Sequence, residues 1–389
     1  RAAQDQLNDL SEQLSHRTLS NERYHELYAR YSSLESIVHQ ANERAQELLP
    51  SVLPEVRVIG CTLAKMVLDR NVFEGAFDIV VIDEVSMVSV IYGIAASTLA
   101  QSHLILAGDP KQLPPICQSN KSEAQKWFGN SCYDWFGVSN AADDSDTSRF
   151  SVLRTQYRMT NEIGDAVSRL SYGNILIHGR NKAGSPVEFV DVPQEWTTTH
   201  YSVPEKSYYH LSSIPIIHEL ANALTNHKEI LLLSPFRPQR SLLSALAFDL
   251  QERFSNLKVR ASTIHKAQGS ESRAVIVDLT THRPDKLVAF FRDRNSANLF
   301  NVGISRAQDQ LLIIGNRPML RTLARESSLW SSVLDEIDGP IGLLPAEEIL
   351  DEPVHFNLLA DLIRKNKLED GPALYSESDT DPHLSKFVE

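Results

Sequence analysis

Two carboxylates close an apolar run, Ile79-Val80-Val81-Ile82-Asp83-Glu84, and a second run, Leu104 to Ala107, ends in Gly108-Asp109-Pro110-Lys111-Gln112-Leu113-Pro114-Pro115. A strand that delivers an Asp-Glu pair at its carboxyl end sets a metal ligand beside a base for water, which is what phosphoryl transfer from a nucleoside triphosphate to water needs. Asp83 is then the candidate for holding Mg²⁺, through water, and Glu84 the candidate for polarising the attacking water. Read without that chemistry, the same pair is a strand-end cap for the next helix. Pro114 and Pro115 stiffen the loop that follows Gln112 by fixing φ.

Strands must carry these groups. Val56–Ile59, Ile79–Ile82 and Leu104–Ala107 read as buried parallel strands, too continuously apolar to alternate. Ahead of them, Leu7, Leu10 and Leu14, then Leu27, Tyr28, Tyr31, Leu34, Val38, Ala41, Ala45 and Leu48, follow helical spacing. A break near His16–Ser20 predicts two antiparallel helices. Residues 117–148 look irregular, and the acidic stretch 140–149 reads as an exposed linker. Beyond it, strands are expected at 187–192, 230–234, 258–262, 274–279 and 311–315, with helices near 160–171, 212–226, 238–253 and 296–308. Such alternation implies a parallel sheet with right-handed crossovers. After about residue 335 the chain turns acidic and loses periodicity, although 356–363 could form one amphipathic helix.

The 389 residues, 42% hydrophobic and 23% charged, allow two or more cores. No run is long enough to form a membrane helix, and Cys61, Cys117 and Cys132 lack the spacing of a disulfide framework or a zinc site. An intracellular setting, cytoplasmic or nuclear, is expected. A net charge of −12 argues against a whole-surface grip on nucleic acid but leaves room for a local one in a narrow groove.

VIDEVSMV (81–88) resembles the Walker B motif of superfamily 1 helicases, and LAGDPKQLPP (106–115) resembles their motif III. LRTQYRM (153–159), ASTIHKAQGSE (261–271) and NVGISRAQ (301–308) are similar to motifs IV, V and VI, in that order. The wording is most similar to the subfamily that includes senataxin and the nonsense-mediated-decay helicase. The resemblance implies an α/β fold with two RecA-like parallel-sheet domains and a helical stalk. Residues 1–54 would be the stalk, 55–148 the remainder of the first domain, 149–335 the second and 336–389 an acidic tail. No G-x-x-x-x-G-K-[ST] run is present to cradle phosphates. The expectation is therefore that this loop lies upstream of Arg1, in a larger helicase whose carboxyl-terminal part is this chain.

The same resemblance implies ATP and Mg²⁺ as cofactors and single-stranded DNA or RNA as partner, with movement 5′ to 3′. No membrane is involved, and the tail or stalk could meet a protein partner. Gln112 would reach the γ-phosphate, Arg158 and Arg306 would project toward it as arginine fingers, and Tyr157 would stack on the adenine. Gln268, Gly269 and Glu271 would serve the nucleotide, Glu271 at its ribose. Thr62 and Thr263 would be matched phosphate grips on the two domains, with Arg237, His265 and Lys266 as further strand contacts. A helicase-like scaffold that never hydrolyses ATP is the alternative; it would have no physical need for Asp83, Glu84, Gln112, Arg158 and Arg306 together.

Overall fold

A computed structural model describes residues 6–7, 10, 21–68, 77–138, 151–180, 182–197, 199–202, 205–279, 296–325 and 328–350. The expected linker at 140–149, the break at 16–20 and the helix at 356–363 lie outside the described residues. The chain divides into two units, one of residues 1–83 with 91–107 and one of 84–90 with 108–389. That division does not fall at residue 148, because residues 108–138 group with the second unit.

In the first unit the helix α1, Asn21–Val52, runs for 32 residues. Leu27 is buried and Tyr31, Leu34 and Val38 are half-buried, so the apolar stripe is real but narrow; Tyr28 and Leu48, expected to belong to it, are exposed. Val56–Ile59 forms no strand, and Val58 is 89% exposed. An apolar run becomes a strand only when a neighbour takes its hydrogen bonds. Among the described residues the sheet of this unit holds two strands only. The residues instead lead into α2, Leu63–Leu68. The two strands, β1 (Phe77–Ile82) and β2 (Ala100–Leu106), are joined through α3 (Val90–Ser97) and pair in parallel, with Ile82 opposite Leu106. Their parallel pairing is as expected, but Ile79, Val81 and Ile105 are exposed, so the strands are not buried.

The second unit carries α4 (Cys132–Phe136) within the segment expected to be irregular, started by a capping box between Ser131 and Asp134. The chain continues through β3 (Thr155–Gln156), α5 (Asn161–Ser171), β4 (Ile177–His178), β5 (Glu188–Asp191) and the antiparallel pair β6 (His200–Ser202) and β7 (Ser207–Tyr209). It then alternates α6 (Ser213–Ala223), β8 (Glu229–Ser234), α7 (Arg237–Arg253), β9 (Lys258–Thr263) and β10 (Ser272–Asp278). After α8 (Ser296–Ile304) come β11 (Ala307–Gly315), α9 (Arg317–Ala324), α10 (Ser328–Ile337) and β12 (Gly342–Pro345).

Six of these strands form one sheet in the order β12-β5-β11-β10-β8-β9, parallel at every pairing. Ile230 to Leu233, Ala274 to Val277 and Leu311 to Ile314 are buried along their whole length, as parallel strands covered on both faces must be. Each such Ile, Leu or Val contributes roughly 1.5–3 kcal/mol on leaving water. One face packs with Ile163, Val167, Ile264 and Phe300, the other with Ile214, Leu243, Leu246 and Leu250. Two expectations are corrected here. The helix expected over 296–308 stops at Ile304, because the apolar run from Ala307 is taken into the sheet between β10 and β5. The acidic tail expected from 336 begins inside α10 and is followed by a sixth strand, with Ile341, Ala346 and Leu350 buried.

Candidate nucleotide and strand site

Asp83 is exposed at the carboxyl end of β1, in the first unit. Glu84 opens the second unit with φ 51° and ψ 39°, a left-handed conformation, and starts the 3-10 turn Val85–Met87. Holding a side chain with a Cβ in that region costs on the order of 1–2 kcal/mol. The Glu84 carboxylate accepts a hydrogen bond from Gln268 Nε2 at 3.2 Å. Gln268 follows the 3-10 turn Ile264–Ala267 after β9, and its Oε1 is buried with no hydrogen-bond partner.

Gly108 brings the loop after β2 against the Glu84 turn, since a Cβ on it would lie 2.8 Å from the Val85 nitrogen. Asp109 then folds the loop: Oδ1 accepts from the Lys111 nitrogen at 2.9 Å and Oδ2 from Gln112 Nε2 at 3.1 Å. Gln112 was expected to reach a phosphate; here its amide nitrogen is on Asp109 and its Oε1 is buried without a partner. Leu113 anchors the loop in the core. Three residues that the sequence did not single out hold it from outside. Asn298 Nδ2 donates to the carbonyls of Pro110 (3.1 Å) and Gln112 (2.6 Å), and Asn301 Nδ2 to the carbonyl of Lys111 (2.8 Å). Tyr172 donates its hydroxyl to Asp109 Oδ2 at 2.5 Å and accepts from Asn301 Nδ2 at 2.8 Å. Burial, helped by Asp109, pushes the Tyr172 hydroxyl far above its ordinary range. Only Asn301 lay within a recognised string, and no spacing linked it to Asp109.

The two candidate fingers differ. Arg158 is partly exposed and donates Nε to Glu271 Oε2 at 2.9 Å and Nη1 to the Ser305 carbonyl at 3.1 Å. Its loop is shaped by Gln156, whose Oε1 accepts from the nitrogens of Arg158 (3.0 Å) and Met159 (2.8 Å). Glu271, expected at a ribose, is thus engaged by Arg158. Arg306, expected to project outward, is 1% exposed and donates to the carbonyls of Val302 (3.0 Å) and Ser270 (3.1 Å) and to Ser305 Oγ (3.0 Å). A guanidinium so enclosed must spend its donors on nearby acceptors, which is why it does not reach outward. Burial first, then the neighbouring Arg158, lowers its pKa to about 10, opposed by Glu84, Tyr172 and Asp109. The carboxylates of Glu84 and Asp109 and both guanidinium groups therefore share one electrostatic neighbourhood in this unit. Tyr133 feels it too: burial and then Asp109, Cys132 and Glu84 push its hydroxyl up to about 12.

Tyr157 is 60% exposed, which rules out a core aromatic, and its ring lies over Gly179 so closely that a Cβ there would meet it at 2.3 Å. Gly269 takes φ 75°, a left-handed turn that glycine adopts without strain. Of the strand-contact candidates, Arg237 at the start of α7 and His265 and Lys266 in the 3-10 turn are exposed. Desolvation, then the charge of Arg237, lowers the His265 pKa, so those two side chains are close. Thr263 is buried and does not present the exposed grip expected of it. Its backbone is locked opposite Ser234, where β9 pairs β8. Thr62 is exposed, but its Oγ1 accepts from the Lys65 nitrogen at 3.2 Å and so caps α2.

Two family models, each described as an AAA domain, match the chain over residues 1–120 and 139–318. The chain is 23% identical over 340 residues to an uncharacterized ATP-dependent helicase of Methanocaldococcus jannaschii, covering 79% of this chain and 46% of that protein. It is 27% identical over 261 residues to the DNA replication ATP-dependent helicase/nuclease DNA2 of Gallus gallus, covering 63% and 24%. With the probable helicase senataxin of Homo sapiens it shares 24% identity over 332 residues, covering 78% and 12%. The chain thus spans less than half the length of each of these relatives.

Proposed function

We propose, for a chain that belongs to the senataxin-like superfamily 1 helicases, a role in an ATP-dependent helicase or translocase that moves along single-stranded DNA or RNA. The observation that carries the reading is the placing of Glu84: a carboxylate held at a left-handed turn, bonded to Gln268 and within the electrostatic reach of Arg306. A protein that only bound nucleic acid would have no need to keep a strained carboxylate there.

The residues fit a nucleoside triphosphate. Two buried amide oxygens, on Gln112 and Gln268, are without a donor and can accept from water, not from a phosphate oxygen, and the exposed face of Tyr157 is open to an adenine ring. Arg158 is accessible enough to exchange Glu271 for a phosphate, and Glu271, once released, is free to meet a ribose hydroxyl. Arg306 in this reading contributes positive charge from its buried seat. Asp83, an exposed carboxylate at a strand end, is the oxygen donor that Mg²⁺ takes when water and phosphates fill its other positions. The bound ion would neutralise phosphate charge. Glu84 accepts a proton from the attacking water, and loss of the γ-phosphate removes the contacts that engage Arg158, so that hydrolysis changes the set of contacts the motor makes. Arg237, His265 and Lys266 supply the phosphate grip on the strand, with the exposed Thr62 as a lesser contributor. Movement 5′ to 3′ is the direction that the family resemblance supports.

In the full-length protein, Glu84→Gln should abolish strand-stimulated ATP turnover while nucleotide binding survives. Turnover at the unmodified rate would remove Glu84 from this role. Unwinding of duplexes with 5′ single-stranded tails in preference to 3′ tails tests the direction.

A further inference from the structure

The hydrogen bonds around Asp109 can run in one direction only. A carboxylate accepts and does not donate, so the single proton of the Tyr172 hydroxyl must go to Asp109 Oδ2, at 2.5 Å. The phenol oxygen is then left to accept, and the group facing it at 2.8 Å must be the amide nitrogen of Asn301, which also donates to the Lys111 carbonyl. By the same rule the Gln112 side chain must turn its nitrogen, not its oxygen, toward Asp109 Oδ2 at 3.1 Å. The amide orientation of Gln112 is therefore fixed by its partners. What remains is Gln112 Oε1, buried and without a donor, a state that costs about 1–3 kcal/mol unless something fills it.

We infer that Tyr172 and Asn301 are positioning residues that act through Asp109 to hold Gln112 with its carbonyl oxygen presented as an acceptor, so that the partner of that oxygen is a hydrogen donor, the water used in hydrolysis, rather than a phosphate oxygen; the second N–H of the same amide stays a donor. A phosphate oxygen has only lone pairs to offer an acceptor and is repelled by it. Water can give one proton to Gln112 Oε1 and the other to Glu84, which aims its own lone pair. The same chain of bonds ties the loop to α8, the helix that ends just before Ser305 and the buried Arg306. This inference rests on the ATP-hydrolysing reading above.

The test is a double-mutant cycle on the full-length protein with single-stranded nucleic acid present. Tyr172→Phe keeps the ring and deletes only the hydroxyl. The expected result is a loss of up to about 10²-fold in kcat, the order that follows from misplacing a positioned group, with KM for ATP and strand affinity held. In a Gln112→Ala background, Tyr172→Phe should cost nothing further. An equal loss in both backgrounds, or a change confined to KM, overturns the inference while leaving the ATP-hydrolysing reading intact. A second measurement does not depend on turnover: the side-chain amide ¹⁵N and ¹H signals of Gln112, identified by their absence in Gln112→Ala, should shift in Tyr172→Phe. Unmoved signals overturn it even if the protein hydrolyses no ATP.

Discussion

Gln268 donates its side-chain amide to the Glu84 carboxylate at 3.2 Å although 184 positions separate them. Gln268 comes directly after the turn that exposes His265 and Lys266, so a turn proposed to grip a strand also touches the carboxylate proposed to activate water. Binding on one side of a short, rigid turn is well placed to bias the other.

The backbone at Glu84 gives a prediction that separates strain from chemistry. Glu84→Gly and Glu84→Ala both delete the carboxylate and its bond to Gln268, but only glycine relieves a φ of 51°. Urea unfolding should find the glycine variant more stable than the alanine variant by about 1 kcal/mol. Equal stabilities would show that the turn is not held in the left-handed region.

The two arginines should respond differently to lysine. Arg306→Lys strips donors from buried acceptors that include the carbonyls of Val302 and Ser270, and a loss of roughly 2–4 kcal/mol is expected. Arg158→Lys weakens a partly exposed pair with Glu271 and should cost under about 1 kcal/mol of stability while lowering ATP turnover strongly. Denaturant titration beside steady-state kinetics checks both; the reverse ranking of stabilities would contradict the burial seen at Arg306.

Thr62→Asp distinguishes a helix cap from a phosphate grip. Aspartate caps as well as threonine, so α2 should persist, whereas its charge opposes a phosphate. Weakened binding of single strands in a fluorescence anisotropy titration, with an unchanged unfolding midpoint, is the expected outcome. Unchanged affinity would leave Thr62 with its capping role alone.

His265 predicts a pH dependence. Desolvation and then Arg237 lower its pKa below the ordinary 6.5, so between the lowered value and 6.5 the unfolded chain binds more protons than the folded one. Stability contributed by this group therefore rises with pH through that window and falls on acidification. His265→Gln should flatten the slope of the unfolding midpoint with pH in the window just below 6.5. A slope identical to that of the unmodified protein would show that Arg237 and the histidine do not interact as described.

Residue order alone determined much of this protein. Parallel strands buried on both faces read as unbroken apolar runs, so β8, β10 and β11 were legible, as were the helices between the strands, while the expected β9 is an edge strand with Lys258 and Arg260 exposed. Short motif strings, through their resemblance to superfamily 1 helicases, named Glu84, Gln112, Arg158 and Arg306 as candidates. Tertiary structure decided what each one touches. β12 was missed because Gly342-Leu343-Leu344-Pro345 is too short to show a period, and it becomes a strand only by lying beside β5. Arg306 looked like an outward finger until packing enclosed it, and Tyr172 and Asn298 carried no signal because hydrogen bonds to Asp109 and the Pro110 carbonyl cross gaps of 63 and 188 positions. Local order fixes which groups are available, whereas donor and acceptor pairing across such distances is set only once the chain has folded and every buried polar atom must find, or lack, its partner.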